Sequence, residues 1–263
     1  MTSNRIIDCF IFYNELELLK YRMEIIGPYV DWFILVESKY TFSGEPKPLY
    51  YIESLEKDDI LQKWKYKTLH IIITNIPFIA PLKDSSNAWK NEVFQRNSIQ
   101  TGLDIISYSE SDICLMSDVD EIPNPDVILQ LPKILKPKQI YAFDQDFYYY
   151  NIHTRVMDQW IYAKCFKGIM NRKIDDIRWS SNNIIIKNGG WHFSYFGGVE
   201  NIINKIKAFS HQEYNNETVF KNIENNVKEK YDLFNRNNIF LMNLEKPELS
   251  ILAPPQITKF FSK

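Results

Sequence analysis

Four apolar runs of strand length alternate with helical stretches through the first half of the chain, and this alternation limits the fold more than any other feature. Residues 5–13 (RIIDCFIFY) read as a buried strand bounded by Asn14-Glu15. Leu16, Leu19, Met23 and Ile26 then recur at helical spacing until Gly27-Pro28 stops the helix. Residues 31–38 (DWFILVES) and 68–73 give a second and a third strand. Residues 112–116 (DICLM) give another, which runs into an acidic turn. Trp89, Val93, Ile99, Leu103 and Ile106 predict one long helix over residues 89–106. Asn124-Pro125 predicts a further helix start, with Asn as cap and Pro at the first position. Such alternation implies an α/β fold with a mainly parallel central sheet and helices on both faces.

Beyond residue 139 the pattern changes. Residues 141–150 (YAFDQDFYYY) are aromatic-rich, Trp160, Trp179 and Trp191 follow, and two amphipathic stretches cover 200–209 and 218–234. No internal repeat or linker separates the two halves, so a single domain is expected, with Pro254-Pro255 in an extended surface segment. The 31 Lys+Arg against 33 Asp+Glu leave a net charge of −2, without the basic excess of a nucleic-acid binder. No apolar run reaches the roughly 18 residues of a membrane helix, and no secretory signal pattern opens the chain. A cytoplasmic protein with Cys9, Cys114 and Cys165 as buried reduced thiols is the expectation. Without a secretory signal, Asn216-Glu217-Thr218 is read as a chance match to a glycosylation acceptor.

The acidic turn, Leu115-Met116-Ser117-Asp118-Val119-Asp120-Glu121-Ile122-Pro123, carries the most chemistry. Parallel sheets bind ligands beyond the carboxyl ends of their strands. Asp118 and Asp120, two apart on extended backbone, point the same way and offer hard oxygens suited to Mg²⁺ or Mn²⁺. The alternative is a solvated acidic turn after a core strand. An EF-hand is excluded because the turn lacks its glycine. A haloacid-dehalogenase-like phosphatase also places a D-x-D after an apolar strand, but after its first one, whereas three strands come before the one that leads into this turn.

Four segments together resemble glycosyltransferase family 17, the β-1,4-N-acetylglucosaminyltransferases that add bisecting GlcNAc in animals, with microbial and viral relatives. They are residues 30–38 (VDWFILVES) continuing through 41–49 (TFSGEPKPL), Trp89 with Arg96, residues 118–123 (DVDEIP), and residues 190–195 (GWHFSY) leading to Glu200. The resemblance implies a GT-A-type fold. Its nucleotide-binding half would cover about 1–135, and its acceptor half, with the C-terminal helices, about 136–263. It further implies UDP-GlcNAc as donor, an inverting transfer to a glycan hydroxyl, and a Mn²⁺ or Mg²⁺ cofactor. The animal members' membrane anchor and stem are not seen in this sequence, and its Asn-, Ile- and Lys-rich composition suits a microbial or viral source.

On this reading Asp118 and Asp120 hold the metal, with His192 as a third ligand or as a hydrogen-bonded core residue. Asp120 also counts among the catalytic residues. Glu200 is the candidate base for the acceptor proton, with Glu121, Asp144 and Asp146 as competitors. Phe12, Tyr13, Asn14 and Glu15 at the end of the first strand, and Glu37 and Ser38 at the end of the second, are placed against the donor nucleotide. Asn14 could equally be a helix cap. Arg96, Asn97 and Ser117 complete the donor set, Arg96 reaching either a diphosphate or a carboxylate of the site. Trp191 is the candidate acceptor-stacking residue. A sugar-binding module without turnover stands as a further alternative.

Overall fold

A computed structural model describes residues 4–80, 85–246 and 254–261. The alternation seen in the sequence becomes β1 (Ile6–Phe12), α1 (Leu16–Ile26), β2 (Trp32–Ser38), α2 (Tyr50–Leu55), α3 (Asp59–Trp64) and β3 (Thr68–Ile73). Then follow α4 (Ser85–Asn97), α5 (Ile99–Ile105) and β4 (Ile113–Asp118). The four strands lie parallel in the order β3-β2-β1-β4. Alternate residues of β1 feed two cores: Phe10 and Phe12 pack with Leu19 and Met23 of α1 and Leu61 of α3, while Ile7, Cys9 and Ile11 pack with Ile99 and Leu103 of α5. This half therefore has helices on both faces, as the periodicity implies.

The expected single helix over 89–106 is two helices. Ser98 interrupts it, with its hydroxyl bonded back to the Phe94 carbonyl at 2.9 Å, a geometry that bends helices. Asn124 caps α6 (Pro125–Ile128) through its side chain, but the helix lasts a single turn before α7 (Leu131–Ile134).

In the second half the sheet departs from the parallel expectation and becomes mixed. β5 (Glu121–Pro123), β6 (Ile140–Tyr149), β7 (Thr154–Val156) and β8 (Lys164–Lys167) are followed by α8 (Ile174–Arg178) and β9 (Ile184–Ser194). β8 runs antiparallel to β4 and to β6, β7 antiparallel to β6, and only β9 parallel to β6. The link from β6 to β7 is too short for the crossover that parallel strands need. α9 (Gly198–Ala208) and α10 (Glu217–Glu229) pack a third core against the end of β6, and β10 (Leu241–Asn243) edges β7. Asn216 of the apparent glycosylation motif caps α10, its side chain accepting from the Val219 N–H.

The segment after Pro254 is not an extended surface strand. Ile257 is buried, and Phe260 and Phe261 set their rings against Tyr21 and Phe196. All three cysteines are buried free thiols. Among the described residues no helix is long and apolar enough to cross a membrane.

Candidate active site at the carboxyl ends of the parallel strands

Strand register brings the ends of β2, β1 and β4 to one level, with Phe12 beside Glu37 and Ile11 beside Asp118. β4 stops at Asp118, and after Val119-Asp120 the chain re-enters extended structure as β5, paired with β9 so that Glu121 faces His192. That pairing needs glycine at position 190, where φ is +131° and an added Cβ would lie 2.1 Å from the Ile122 carbonyl oxygen.

The acidic turn is held from behind by Arg22 of α1. Its guanidinium bonds both oxygens of Asp8 at 2.7 and 2.6 Å, the Ser117 hydroxyl at 2.7 Å, and the carbonyls of Asp118, Val119 and Glu121 at 3.0, 3.3 and 2.8 Å. Arg22 and Asp8 are both fully buried. Ser117 is thus engaged in shaping the turn.

Two further arginines meet the carboxylates. Arg178, at the end of α8, bonds Asp118 at 2.8 Å and both oxygens of Glu121 at 2.7 and 2.8 Å. Arg96 of α4 bonds Asp175 at 2.6 Å and reaches Asp118 at 3.3 Å. Asn97 accepts from the Asp175 backbone N–H and so fixes the start of α8. Burial drives the Asp118 carboxyl up to about 6 against the pull of Arg178 and Arg96. Glu121 goes the other way: although burial opposes it, Arg178 holds it down at about 2. Both Glu121 oxygens are bonded, one also by the Trp160 indole and the other by the Asp118 N–H.

Asp120 faces α9. Lys205 lies 2.8 Å from its Oδ2, and His192 Nε2 lies 3.7 Å from Oδ1. Against the cost of burial, Lys205 and His192 hold Asp120 well below the usual carboxylate range. His192 is stacked on Phe147 at 4.5 Å and against Trp160 at 4.2 Å, and its Nδ1 has no hydrogen-bond partner among the described residues.

These groups open onto a cavity of about 140 Å³ lined by Phe12, Tyr13, Glu15, Glu92, Asp118 and Asp120, with Phe42, Lys205 and Phe209 over it. A second hollow of about 60 Å³ continues from Phe12 and Tyr13 toward Tyr40 and Lys47. Its roof is built by the 41–47 segment, which docks on the end of α9 through Ser43 to the Lys207 and Ala208 carbonyls. Gln95 forms part of its floor and bonds the Phe12 and Val36 carbonyls.

Phe12, Tyr13, Glu15, Asp118 and Asp120 therefore converge, with Arg96 and His192 immediately behind. Other predicted residues sit elsewhere. Glu37 is fully buried, accepting from Lys47 and from the Tyr50 and Tyr51 N–H groups at the start of α2. Ser38 accepts from the Tyr40 N–H. Asn14 lines the far side of Glu15, and its side chain does not cap α1. Trp191 lies in the core, 4% exposed, and borders a separate small cavity with Asp144 and Asp146. Glu200 is exposed on the first turn of α9 and borders none of these hollows. It stands about 140° around the helix from Lys205.

Sequence reasoning missed Arg22, Arg178, Lys205 and Gln95. Asp8 was the available signal for Arg22: an acid in the middle of IIDCFIF requires a buried cation.

No three His, Cys, Asp or Glu side chains among the described residues form a metal cage. A nucleotide-bound Mg²⁺ needs none, since one or two carboxylates, phosphates and waters complete its shell. The charge of the cavity is the relevant test: Glu15, Glu92, Asp118 and Asp120 line it with the Lys205 ammonium, and Arg96 and Arg178 pair with Glu92 and Asp118 from behind, so four carboxylates face three cations. An anionic diphosphate is repelled there unless a cation accompanies it. The residues present fit a divalent ion.

The family model described as "Glycosyltransferase family 17" matches residues 1–242. Two curated relatives, each a "Beta-1,4-mannosyl-glycoprotein 4-beta-N-acetylglucosaminyltransferase", come from Rattus norvegicus and Homo sapiens. Each is 28% identical over 129 residues, which is 48% of this chain and 23% of the relative. The Mus musculus protein of the same name is 27% identical over the same length. The match thus spans about a quarter of the length of these curated relatives.

Proposed function

The chain belongs to glycosyltransferase family 17, and on that premise we propose that it transfers N-acetylglucosamine, with inversion, from UDP-GlcNAc to a hydroxyl of a mannose-containing glycan on a GT-A-type scaffold. The observation that carries the reading is the placement of Asp118 and Asp120 in a cleft formed by the carboxyl ends of β1 and β4. Doubly wound sheets bind nucleotides at that position. Phe12, Tyr13 and Tyr40 offer apolar and aromatic surface for the base, beside the Lys47 ammonium.

Asp118 and Asp120, with His192 adjoining, are the residues that would hold Mn²⁺ or Mg²⁺; when bound, such an ion supplies the positive charge that a departing diphosphate needs. Arg96 and Arg178 fix the Asp118 carboxylate from two sides, so it is oriented before substrate arrives. Lys205 of α9 lines the cleft, paired with Asp120 and Glu15, and would set its ammonium toward the donor. A phosphatase is not favoured. The acid on the first strand, Asp8, is sealed against Arg22 and cannot serve as a nucleophile.

The test is thermal unfolding with UDP, UDP-GlcNAc, UDP-glucose or GDP-mannose, each with Mn²⁺ or EDTA. A ligand at one hundred times its Kd stabilises by about 2.7 kcal/mol. We expect a Mn²⁺-dependent rise with the uridine nucleotides, largest for UDP-GlcNAc, and lost in Asp120→Asn. No rise with any nucleotide, or an equal rise in EDTA and in the variant, rejects the reading.

A further inference from the structure

A third cavity, of about 190 Å³, lies against the donor cleft, and the residues the two share are Glu15 and Lys205. Its walls combine the aromatic side chains of Tyr195, Phe196 and Phe261 with the amide of Asn201. Rings that cover C–H faces, together with a few amides and hydroxyls that bond rim oxygens, are what a sugar ring requires of a pocket. Asn201 is four residues before Lys205 on α9, hence on the same helix face. We propose that this cavity receives the acceptor sugar and that Glu15, at its junction with the donor cleft, is the general base of the transfer; the assignment rests on the transferase reading above.

The geometry singles out Glu15 among the carboxylates: Glu17, which lines the same cavity, pairs with Lys20 and does not border the donor cleft. Its Oε2 accepts from the backbone N–H groups of Tyr13 and Asn14 at 3.3 and 3.1 Å, which fixes the orientation of the group. Oε1 is left toward Lys205, at 3.6 Å, and Lys205 in turn holds Asp120 at 2.8 Å. The competitors are engaged or remote. Glu121 has both oxygens bonded by Arg178. Glu92 is held by Arg96 and Ser210. Asp144 and Asp146 pair with Lys187 and Arg155 at the separate cavity beside Trp191. Glu200 is exposed on the outer side of α9.

In the proposed step the acceptor oxygen bonds to the anomeric carbon while the bond from that carbon to the diphosphate oxygen breaks. The bonding pair leaves with the nucleotide, and the hydroxyl proton passes to Glu15 Oε1.

The experiment compares wild type, Glu15→Gln and Glu15→Ala, using UDP-GlcNAc, Mn²⁺ and a trimannosyl-chitobiose glycan. UDP release and UDP binding are both measured. Gln retains an acceptor for the Tyr13 and Asn14 N–H groups, so its fold and its UDP affinity are expected to persist. Its transfer rate should fall by about 10²–10⁴-fold, the usual contribution of a general base. Sodium azide, a nucleophile with no proton to lose, should restore UDP release in Glu15→Ala and yield the β-glycosyl azide. A Glu15→Gln rate within threefold of wild type overturns the assignment. So does loss of UDP affinity in step with rate, which would make Glu15 a donor-binding residue. A wild type that binds and releases no UDP overturns the transferase reading instead, and this assignment with it.

Discussion

Replacing Arg22 with methionine separates the role of this side chain in stability from its role in shaping the site. The substitution keeps an unbranched apolar stem but leaves the Asp8 carboxylate unpaired, in a position with no solvent exposure. Removing one partner of a buried ion pair costs about 3–5 kcal/mol. For a domain of this size that lowers Tm by roughly 6–20 °C. The double variant Asp8→Val/Arg22→Met removes both charges, and apolar replacement of a whole buried pair is often neutral. Most of the lost stability should therefore return. Nucleotide binding should not, because Ser117 and the carbonyls of Asp118, Val119 and Glu121 still lack their common donor. Urea unfolding at pH 7 measures the first quantity, and calorimetric titration with UDP and Mn²⁺ the second. A single variant within about 1 kcal/mol of wild type would refute the buried-pair argument, given its expected cost. A double variant with wild-type UDP affinity would refute the anchoring argument.

Gly190→Ala should destabilise by more than about 3 kcal/mol and abolish UDP binding. Its methyl would lie 2.1 Å from the Ile122 carbonyl oxygen, forcing β5 away from β9. A melting temperature within 2 °C of wild type, on the roughly 2–4 °C per kcal/mol scale, contradicts this. Lys164 gives a pH prediction. Burial, with the neighbouring Arg178, lowers its ammonium from the ordinary 10.5 to about 8. Above pH 8 the folded chain has released a proton that the unfolded chain still binds, so stability rises from about pH 8 toward 10.5. Below pH 8 the buried charge is a cost. Lys164→Met should therefore be more stable than wild type at pH 7 and show a shallower rise between pH 8 and 10. Urea unfolding across that range checks both, and an unchanged slope contradicts the argument.

Most of the parallel half of the fold was legible because its strands are predominantly apolar and α1 and the 89–106 stretch repeat at helical period; the short α2 and α3 carry too few apolar repeats and were not expected. Residues 68–73 were bounded to the residue. The split at Ser98 was not legible, because Ile99, Leu103 and Ile106 continue the apolar spacing across it and only a hydroxyl bond marks the bend. The mixed second half was also hidden. Residues 141–150 are buried on both faces, so their alternation carries no direction, and the short turn after them was masked by aromatic composition. Within the site, Asp118 and Asp120 stood out through their spacing. Arg178 did not, since it lies in a five-residue helix whose position opposite Asp118 depends on β8 and β9 being in place. Glu200 looked attractive as an acid after a glycine turn, but helical phase turns it away from the face that carries Asn201 and Lys205.

The aromatic side chains around the cleft give the protein a spectroscopic property. Of its six tryptophans, Trp160, Trp179 and Trp89 form a row with Tyr162 that starts at the acidic turn, where Trp160 bonds Glu121. Trp160 lies 4.7 Å from Tyr162, Tyr162 lies 5.2 Å from Trp179, and Trp179 lies 6.5 Å from Trp89. Excitation energy absorbed anywhere along this row is passed between the rings before it is emitted. One end of the row is the Trp160 indole, bonded to Glu121 and packed at a tilt against His192. Emission from the row should therefore respond to charge placed at the turn, and the nucleotide binding proposed above is expected to change intrinsic fluorescence without a label.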